Sequence, residues 1–342
     1  MQNLIVVLVT SIFFGSISIA QNKYQRKNET AEVLKYAEGN LYSRSLIVRG
    51  NSLFIANSNG TLYKYDLLAG TSINMMENKK FEEMRDLALV NDTLYGMQSG
   101  SYGILAQFTL DKFKQYILPS GNIWHKVFLD GMDFHHNIGF IMGDPVDGFF
   151  KLSYSLDAGR SWKACDGKVE SFEDEAGFAA SGTNVQVLND STFLFVSGGK
   201  KSRFFISSDR GNTWKSTSLP YLTSISSGAF SIHMQDAVNG VLVGGDYANP
   251  DLNMNCAYYT DDGGEFWMNA EQQPRGYRSC VILAEKYYYS CGTNGIDVSF
   301  DNGVEWIPFA DGNFFSMCND KEKLYATMKN GEIKVFDLLK KK

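Results

Sequence analysis

The chain has 342 residues, and its 32 Lys and Arg against 38 Asp and Glu give a formal net charge of −6. This acidic balance argues against nucleic acid as a partner, because duplex binding needs a positively charged surface. Aromatic residues make up 14% of the chain, and together with 32 Gly they favour many short strands joined by tight turns.

The N-terminus is typical of an export signal. Residues 4–14 are apolar, and the small residues Ser18 and Ala20 precede a cleavage point at Gln21. This stretch is too short to span a bilayer core of about 30 Å. No Lys or Arg precedes it, so an uncleaved anchor stays open as the alternative. We expect residues 1–20 to be a signal peptide, the mature chain to have no transmembrane segment, and the protein to be periplasmic or extracellular.

One pattern, Ser/Thr-x-Asp-x-Gly-x-x-Trp, recurs along the chain and is typical of the BNR repeat or Asp-box. Four of the five tryptophans occupy its last position, which chance does not explain. The four Asp-boxes are Ser155-Asp157-Gly159-Trp162, Ser207-Asp209-Gly211-Trp214, Thr260-Asp262-Gly264-Trp267 and Ser299-Asp301-Gly303-Trp306.

Weaker copies of the motif extend the repeat to both ends of the chain. Asp66 and Asp111 mark two decayed copies upstream, and Asp337 marks a last one. The copies recur at the length of a four-stranded propeller blade, about 40–50 residues. We therefore predict an all-β fold, a seven-bladed β-propeller of four-stranded antiparallel blades, with six blades as the alternative. The propeller is expected to span residues 41–338, with 21–40 partly closing the last blade and 339–342 forming a basic tail.

The chemistry of the Asp-box favours a structural role. Its hydroxyl and carboxylate can both accept backbone N–H groups within a tight turn. Its glycine tolerates a positive φ, and its tryptophan can bury a large face against a neighbouring sheet. We interpret these carboxylates as turn-forming rather than catalytic.

Function in a propeller is expected where the innermost strands meet the central channel. Aligned on their first strands, the repeats place three arginines at one level, and we expect them to bind an anion there, since guanidinium suits carboxylates. Pairing among channel residues is the alternative for this set. The channel candidates are Arg44, Arg85, Asp130, Glu175, Ser181 and Arg278. Ligand contact and turn stabilisation both stay open for the loop candidates Asp144, Asp147, Asp246, Tyr247 and Tyr277.

The sequence predicts neither a metal site nor a cofactor. His135 and His136 are adjacent, so on a strand they would point to opposite faces and could not hold one ion together. Five cysteines without a C-x-x-C are too few for a disulfide framework, although Cys280 and Cys291 could pair across one hairpin. No nucleotide-binding or hydrolase motif occurs.

Four ordered segments carry a family resemblance. MGDPVDG (142–148), GFAASG (177–182), GGDYA (244–248) and PRGYRS (274–279) resemble bacterial propellers related to the photosystem II stability and assembly factor. The resemblance implies a seven-bladed propeller with a non-catalytic binding or assembly role. Fold analogy alone does not settle function.

Three functions remain in view. The leading hypothesis is an exported, non-enzymatic propeller that binds a carboxylate-bearing protein or peptide at the arginine-lined channel mouth. The enzyme alternative is a sialidase-like glycosidase, which also combines Asp-boxes with an arginine triad, although the Arg-Ile-Pro motif typical of those enzymes is missing at Arg44-Ser45-Leu46. The third is a structural surface module that works through its outer blade faces.

Overall fold

The computed structural model describes residues 31–76, 81–110, 115–117 and 124–339, so the expected signal peptide and most of the basic tail lie outside the described residues. These residues form 30 β-strands and no helix. In chain order the strands are β1 (Glu32–Lys35), β2 (Ser43–Arg49), β3 (Ser52–Asn57), β4 (Leu62–Asp66), β5 (Thr71–Asn74), β6 (Glu83–Val90), β7 (Thr93–Ser99), β8 (Ile104–Thr109), β9 (Gln115–Ile117), β10 (Leu129–His135), β11 (Ile138–Val146), β12 (Phe149–Ser155), β13 (Lys163–Ala164), β14 (Glu175–Ala176), β15 (Val185–Val187), β16 (Phe193–Val196), β17 (Gly198–Gly199), β18 (Arg203–Ser207), β19 (Lys215–Ser218), β20 (Ser227–Met234), β21 (Gly240–Asp246), β22 (Ala257–Thr260), β23 (Met268–Asn269), β24 (Cys280–Ala284), β25 (Tyr287–Gly292), β26 (Gly295–Ser299), β27 (Ile307–Ala310), β28 (Met317–Asn319), β29 (Lys323–Thr327) and β30 (Glu332–Asp337).

The strands form seven antiparallel blades. Blades one to three are β2–β5, β6–β9 and β10–β13; blade four is β15, β16, β18 and β19. Blade five is β20–β23, blade six is β24–β27, and blade seven is β28, β29, β30 and β1. The short strands β14 and β17 extend the sheet of blade five at its inner edge. The predicted seven-bladed propeller is therefore confirmed, and the six-bladed alternative is wrong.

The last blade is completed by the start of the described chain. β1 pairs antiparallel with β30, from Glu32 opposite Val335 to Lys35 opposite Glu332. Leu34 is buried in one apolar cluster with Tyr325 and Ile333. This pairing joins residues about 300 positions apart and gives blade seven its fourth strand, so the two ends of the described chain meet in one blade.

The core consists of apolar layers between adjacent blades. The layer between blades three and four is aromatic: Phe140 stacks on Phe193 at 5.0 Å, and Phe195 stacks on Phe205 at 4.3 Å. Second strands are buried on both faces, as in β16 and β21, because each blade is covered on two sides. Cys280 and Cys291 lie opposite each other in β24 and β25, and both are free thiols.

The Asp-box turns share one hydrogen-bond pattern. The Ser155 hydroxyl donates to Asp157 at 2.8 Å and accepts from the N–H of Gly159 at 2.8 Å, while Asp157 accepts from the N–H of Ser161 at 2.9 Å. The boxes that begin at Ser207, Thr260 and Ser299 repeat these bonds at 2.8–3.0 Å. Each carboxylate is thus engaged within its own turn.

Each box also packs on the preceding blade. Trp267 of blade five meets Phe204 of blade four edge to face at 5.2 Å, and Gly264 lies against the same ring. Trp162 donates its indole N–H to the carbonyl of Gly159 at 3.0 Å. The indole N–H groups of Trp214, Trp267 and Trp306 have no hydrogen-bond partner among the described residues, so these rings act through packing.

Because the strands of each blade alternate in direction, their turns lie alternately on two opposite faces of the propeller. The boxes join third and fourth strands, and they lie beside the turns between first and second strands, as the bond from the N–H of Ala158 to the carbonyl of Asn137 shows. We call this side the box face. On the opposite side, the entry face, the first strands begin and the connections between blades run.

Alanine substitutions at two glycines distinguish the stability cost of backbone strain from the cost of a steric clash. Gly148 and Gly264 have φ of +79° and +86°, but an added Cβ meets no atom within 4 Å at Gly148 and lies 2.3 Å from the Phe204 ring at Gly264. We expect Gly148→Ala to cost about 1 kcal/mol from its φ alone. Gly264→Ala should cost about 3 kcal/mol or more, because overpacking adds to the strain. Equal losses in the free energy of unfolding by chemical denaturation would show that the box does not pack as described.

Candidate functional site

A cavity of about 390 Å³ opens at the entry face, over the mouth of the central channel. Its charged lining comes from three neighbouring blades: Arg44 from blade one, Arg85 from blade two and Asp130 from blade three. Blades four to six contribute mainly aromatic and small residues. The cavity is therefore polar on one side and apolar on the other.

Four inner strands carry a β-bulge at the point where they reach this cavity. In each, one residue is inserted between two consecutive paired residues: Arg44 in β2, Arg85 in β6, Asp130 in β10 and Phe230 in β20. All four inserted residues line the cavity. A bulge turns a side chain out of the regular alternation of a strand, so this repeated irregularity directs the four side chains to one place.

Arg44 lines the cavity, and its side chain has unused hydrogen-bonding capacity. Its Nε is buried without a partner, and none of the described residues forms a hydrogen bond or ion pair with its guanidinium. Desolvation, followed by the positive charge of Arg85, lowers its pKa. A guanidinium nevertheless keeps its charge in proteins, so Arg44 presents a partly desolvated cation to the cavity.

Arg85, in contrast, is held by the protein. It donates to the carbonyl of Ala179 at 2.6 Å, pairs with Glu83 at 2.8 Å and lies 5.4 Å from the centre of the Phe128 ring. These contacts fix its side chain in the cavity wall. Its charge is largely balanced by Glu83, so Arg85 shapes the site and reinforces its positive side.

Asp130 lies at the base of the cavity and is 1% exposed. Burial and then the negative charge of Asp144 raise the pKa of Asp130 well above its usual value, while Arg85 opposes the shift. The carboxyl group of Asp130 interacts with both the side chain and the backbone N–H of Asp144. Asp144 accepts from the N–H of Gly177 at 2.9 Å, and a Cβ at Gly177 would lie 2.4 Å from the Asp130 carboxyl carbon. Glycine is thus needed for this close approach.

An aromatic box forms the apolar side of the cavity; we use this name for Phe178, Phe230, Tyr247 and Tyr277. Phe178 and Phe230 stack at 4.3 Å, and Tyr277 meets Phe230 edge to face at 4.8 Å. The ring of Tyr247 stands nearly perpendicular to both phenylalanines at 6.2 Å and is 51% exposed. The aromatic box can therefore pack around an apolar group whose charged end reaches Arg44.

Arg278 does not join the other two arginines. It is fully buried, donates to Asp297 through Nε at 2.8 Å and again through Nη2, and donates to Asn294 at 2.6 Å. Asp297 also pairs with Arg275 at 2.9 Å. The expected ring of three arginines is therefore reduced to two in the structure, because the third is part of a buried ion pair.

A difference of one residue in register explains this position. The N–H of Leu87, two residues after Arg85, donates to Ser45 of the preceding blade. In blade six the equivalent donor is Val281, whose N–H bonds to Ser231 at 2.8 Å. Position 279, not 278, is thus the counterpart of Arg85, and a shift of one residue turns a strand side chain to the other face.

The remaining predicted site residues lie outside the cavity lining or stabilise turns. Glu175 is buried and pairs with Arg203 at 2.7 Å. Ser181 donates to the carbonyl of Ser279 at 2.7 Å. Asp246 accepts from the N–H of Ala248 at 3.0 Å, and Asp147 is exposed in a turn with φ of +56°. Of the loop candidates, Tyr247 and Tyr277 line the cavity, and Asp144 stands behind it.

The expected geometry of the two adjacent histidines is wrong. β10 ends at His135, and His136 lies in the following turn with φ of +52°. This left-handed residue breaks the alternation of the strand, so the two rings lie on one side with centres 4.1 Å apart. Both approach Asp190 in the turn between β15 and β16.

Sequence reasoning missed much of the apolar side of the site. Phe128 lies just before β10, Phe178 lies in the connection to blade four, and Phe230 is the inserted residue of β20. Phe230 was not among the predicted channel residues, because a bulge cannot be recognised from alternation alone. Phe178 belongs to the segment GFAASG, which contributed to the family resemblance but was not predicted to line a site.

Comparisons with known proteins agree on the fold. The sequence model of the family described as "Sortilin, neurotensin receptor 3" matches residues 150–287, from blade three to blade six. No curated protein is significantly similar in sequence. The WD40 β-propeller domain of Doa1 superposes with a TM-score of 0.62 at 11% identity, covering 90% of this chain and 96% of that one. The computationally designed Ika8 protein superposes with a TM-score of 0.57 at 10% identity, covering 90% and 100%.

No helix long and apolar enough to cross a membrane occurs in the described part of the chain.

The contrast between Arg44 and Arg278 gives a stability prediction. Arg278→Ala leaves the buried Asp297 with one partner fewer and should lower the free energy of unfolding by about 3 kcal/mol, as breaking a buried ion pair does. Arg44→Ala removes a cation that no described residue pairs with, so it should change stability by less than about 1 kcal/mol. Urea denaturation of both variants measures this. A large loss for Arg44→Ala would mean that Arg44 serves the fold.

Proposed function

We propose that this chain is an exported, non-enzymatic propeller that binds a carboxylate-bearing protein or peptide partner in the entry-face cavity. The observation that carries the proposal is the guanidinium of Arg44, which lines the cavity beside the aromatic box without a partner among the described residues. Leaving a charged, partly buried donor unused costs free energy, and a ligand that supplies the missing acceptor recovers it.

A carboxylate is the acceptor that fits Arg44 best. The planar guanidinium can donate two parallel hydrogen bonds to it, and these are stronger where water is excluded. Arg85 lies close enough to Arg44 to lower its pKa, so an anion would also relieve the repulsion between the two arginines.

The aromatic box supplies the second recognition element. Tyr247 is half exposed beside the stacked pair of Phe178 and Phe230, so an apolar side chain can pack against its exposed surface. Rigid aromatic groups bury area at a small cost in conformational entropy, which is why tyrosine and tryptophan dominate binding hot spots. We infer that the partner presents an apolar residue next to its carboxylate.

The similarities support a binding role. The matching family description names a receptor, neurotensin receptor 3, and its match covers the connections that carry Phe178, Tyr247 and Tyr277. The ordered segments that resemble the photosystem II assembly-factor family point to the same non-catalytic class. The apolar residues 4–14 favour export.

The other two functions have less support. A sialidase-like site requires three arginines around one carboxylate, whereas Arg278 is committed to Asp297. A module working through its outer faces would leave the repeated bulges unexplained, because those direct side chains toward the channel rather than toward the outer strands.

The proposal is tested with a panel of fluorescent peptides that carry aliphatic or aromatic residues and either contain or lack carboxylates. We expect binding to the full chain to require a carboxylate and to weaken with added salt. Arg44→Ala should weaken it about 10- to 100-fold, which corresponds to losing one charge-assisted contact. Fluorescence anisotropy measures the affinity.

Arg49→Ala is the matched control. Arg49 lies in the same strand, β2, but at its other end, where it pairs with the exposed Asp92 at 2.7 Å. Its replacement should leave binding unchanged. Equal affinity for peptides without any carboxylate, or equal affinity of Arg44→Ala and the unaltered protein, would reject the proposed function.

A further inference from the structure

Three metal-ligating side chains converge on the box face, on the opposite side of the propeller from the cavity. His135 ends β10, His136 lies in the next turn, and Asp190 lies in the turn between β15 and β16. One ligand atom of each lies within 4.8 Å of the others. His135 Nε2 and His136 Nδ1 are 4.0 Å and 3.7 Å from the same oxygen of Asp190.

The fold holds these side chains together through ordered turns of two blades. The positive φ of His136 brings its ring beside that of His135, as described above. In blade four, Asn189 accepts from the N–H groups of Ser191 and Thr192 at 3.0 Å, which fixes the turn around Asp190. Arg210, in the Asp-box of blade four, donates to the carbonyl of Asp190 at 2.7 Å.

We propose that His135, His136 and Asp190 form a binding site for a divalent late transition-metal ion of the Zn²⁺ class. Two imidazoles and one carboxylate are a donor set that such ions accept, with a further position left for water. The ion would join the inner hairpin of blade three to the turn of blade four.

The distances fit an ion-free arrangement of such a site. Zinc bonds of about 2.0–2.2 Å place neighbouring ligand atoms about 3–3.5 Å apart. The side chains of His136 and Asp190 are 77% and 68% exposed, so small rotations can close the remaining gap without moving the backbone.

The donor set predicts selectivity. Imidazole suits Zn²⁺, Ni²⁺ and Cu²⁺, whereas Mg²⁺ and Ca²⁺ prefer oxygen ligands. The site should therefore bind Zn²⁺ and ignore Mg²⁺. If the histidines and Asp190 formed only an ion pair with one another, the chain would bind neither Zn²⁺ nor Mg²⁺ at this place.

The test is calorimetric titration of ZnCl₂ into the chelator-treated full chain near neutral pH. We expect one Zn²⁺ per chain, and no heat from MgCl₂. His136→Asn keeps a residue that tolerates positive φ, and Asp190→Asn keeps the size of the side chain. Each substitution should weaken Zn²⁺ binding at least about tenfold. Replacing even a residue that only orients a metal ligand typically lowers metal affinity about 10–100-fold, and these residues are the ligands themselves.

His125→Ala is the control, since His125 lies near Tyr102 and outside the cluster. It should bind Zn²⁺ like the unaltered chain. Absence of stoichiometric Zn²⁺ binding overturns the proposal, and so does unchanged affinity in both His136→Asn and Asp190→Asn. Circular dichroism of the variants shows that any loss comes from the ligands and not from unfolding.

Discussion

The backbone groups at the inner edge of each blade need hydrogen-bond partners, and the closure of the propeller depends on how they are supplied. Apart from blade five, where β17 pairs with part of β20, the first strand of a blade has a strand partner on one side only. Its other backbone groups face the channel, where unpaired groups are costly. The preceding blade supplies acceptors: Ser45 for the N–H of Leu87, Asp86 for that of Met132, and Ser231 for that of Val281. Burial raises the pKa of Asp86 well above its usual value, which favours the neutral carboxyl at this position. Much of the polarity of the channel therefore serves to close the ring.

On the entry-face side of these bonds, four of the inner strands contain a β-bulge, and these bulges form the candidate site. Each bulge lies just before the residues that bond to the neighbouring blade. The side chains of the inserted residues therefore point toward the channel mouth; these residues are Arg44, Arg85, Asp130 and Phe230. Where the register differs by one residue, as at Arg278, the same residue type is buried inside a blade. Site and scaffold thus use similar residues, and the local backbone decides which role each one takes.

The sequence was sufficient to predict the fold because the repeated motif fixes the blade. Ser, Asp, Gly and Trp each have a defined role in the box turn. The spacing of the four boxes, together with the weaker copies at Asp66, Asp111 and Asp337, indicates seven blades. Arg44, Arg85 and Asp130, which the sequence aligns at one level, line one cavity in the structure, and their role in binding stays a prediction. Arg278 instead lies in a buried ion pair, and Phe230 was not among the predicted site residues. A bulge inserts one residue without changing composition or periodicity over a short strand, so alignment cannot detect it. The positive φ of His136 is equally invisible in the sequence, and it reversed the expected geometry of the histidines.

We propose that the bulge residues and the aromatic box form one binding surface on the entry face. This surface can be mapped by hydrogen–deuterium exchange of the full chain, with and without a saturating carboxylate-bearing peptide from the panel. We expect slower exchange in the connections around Phe178, Tyr247 and Tyr277 and no change in the four Asp-box turns. Protection confined to the box face or to the outer strands would show that the peptide binds away from the channel mouth.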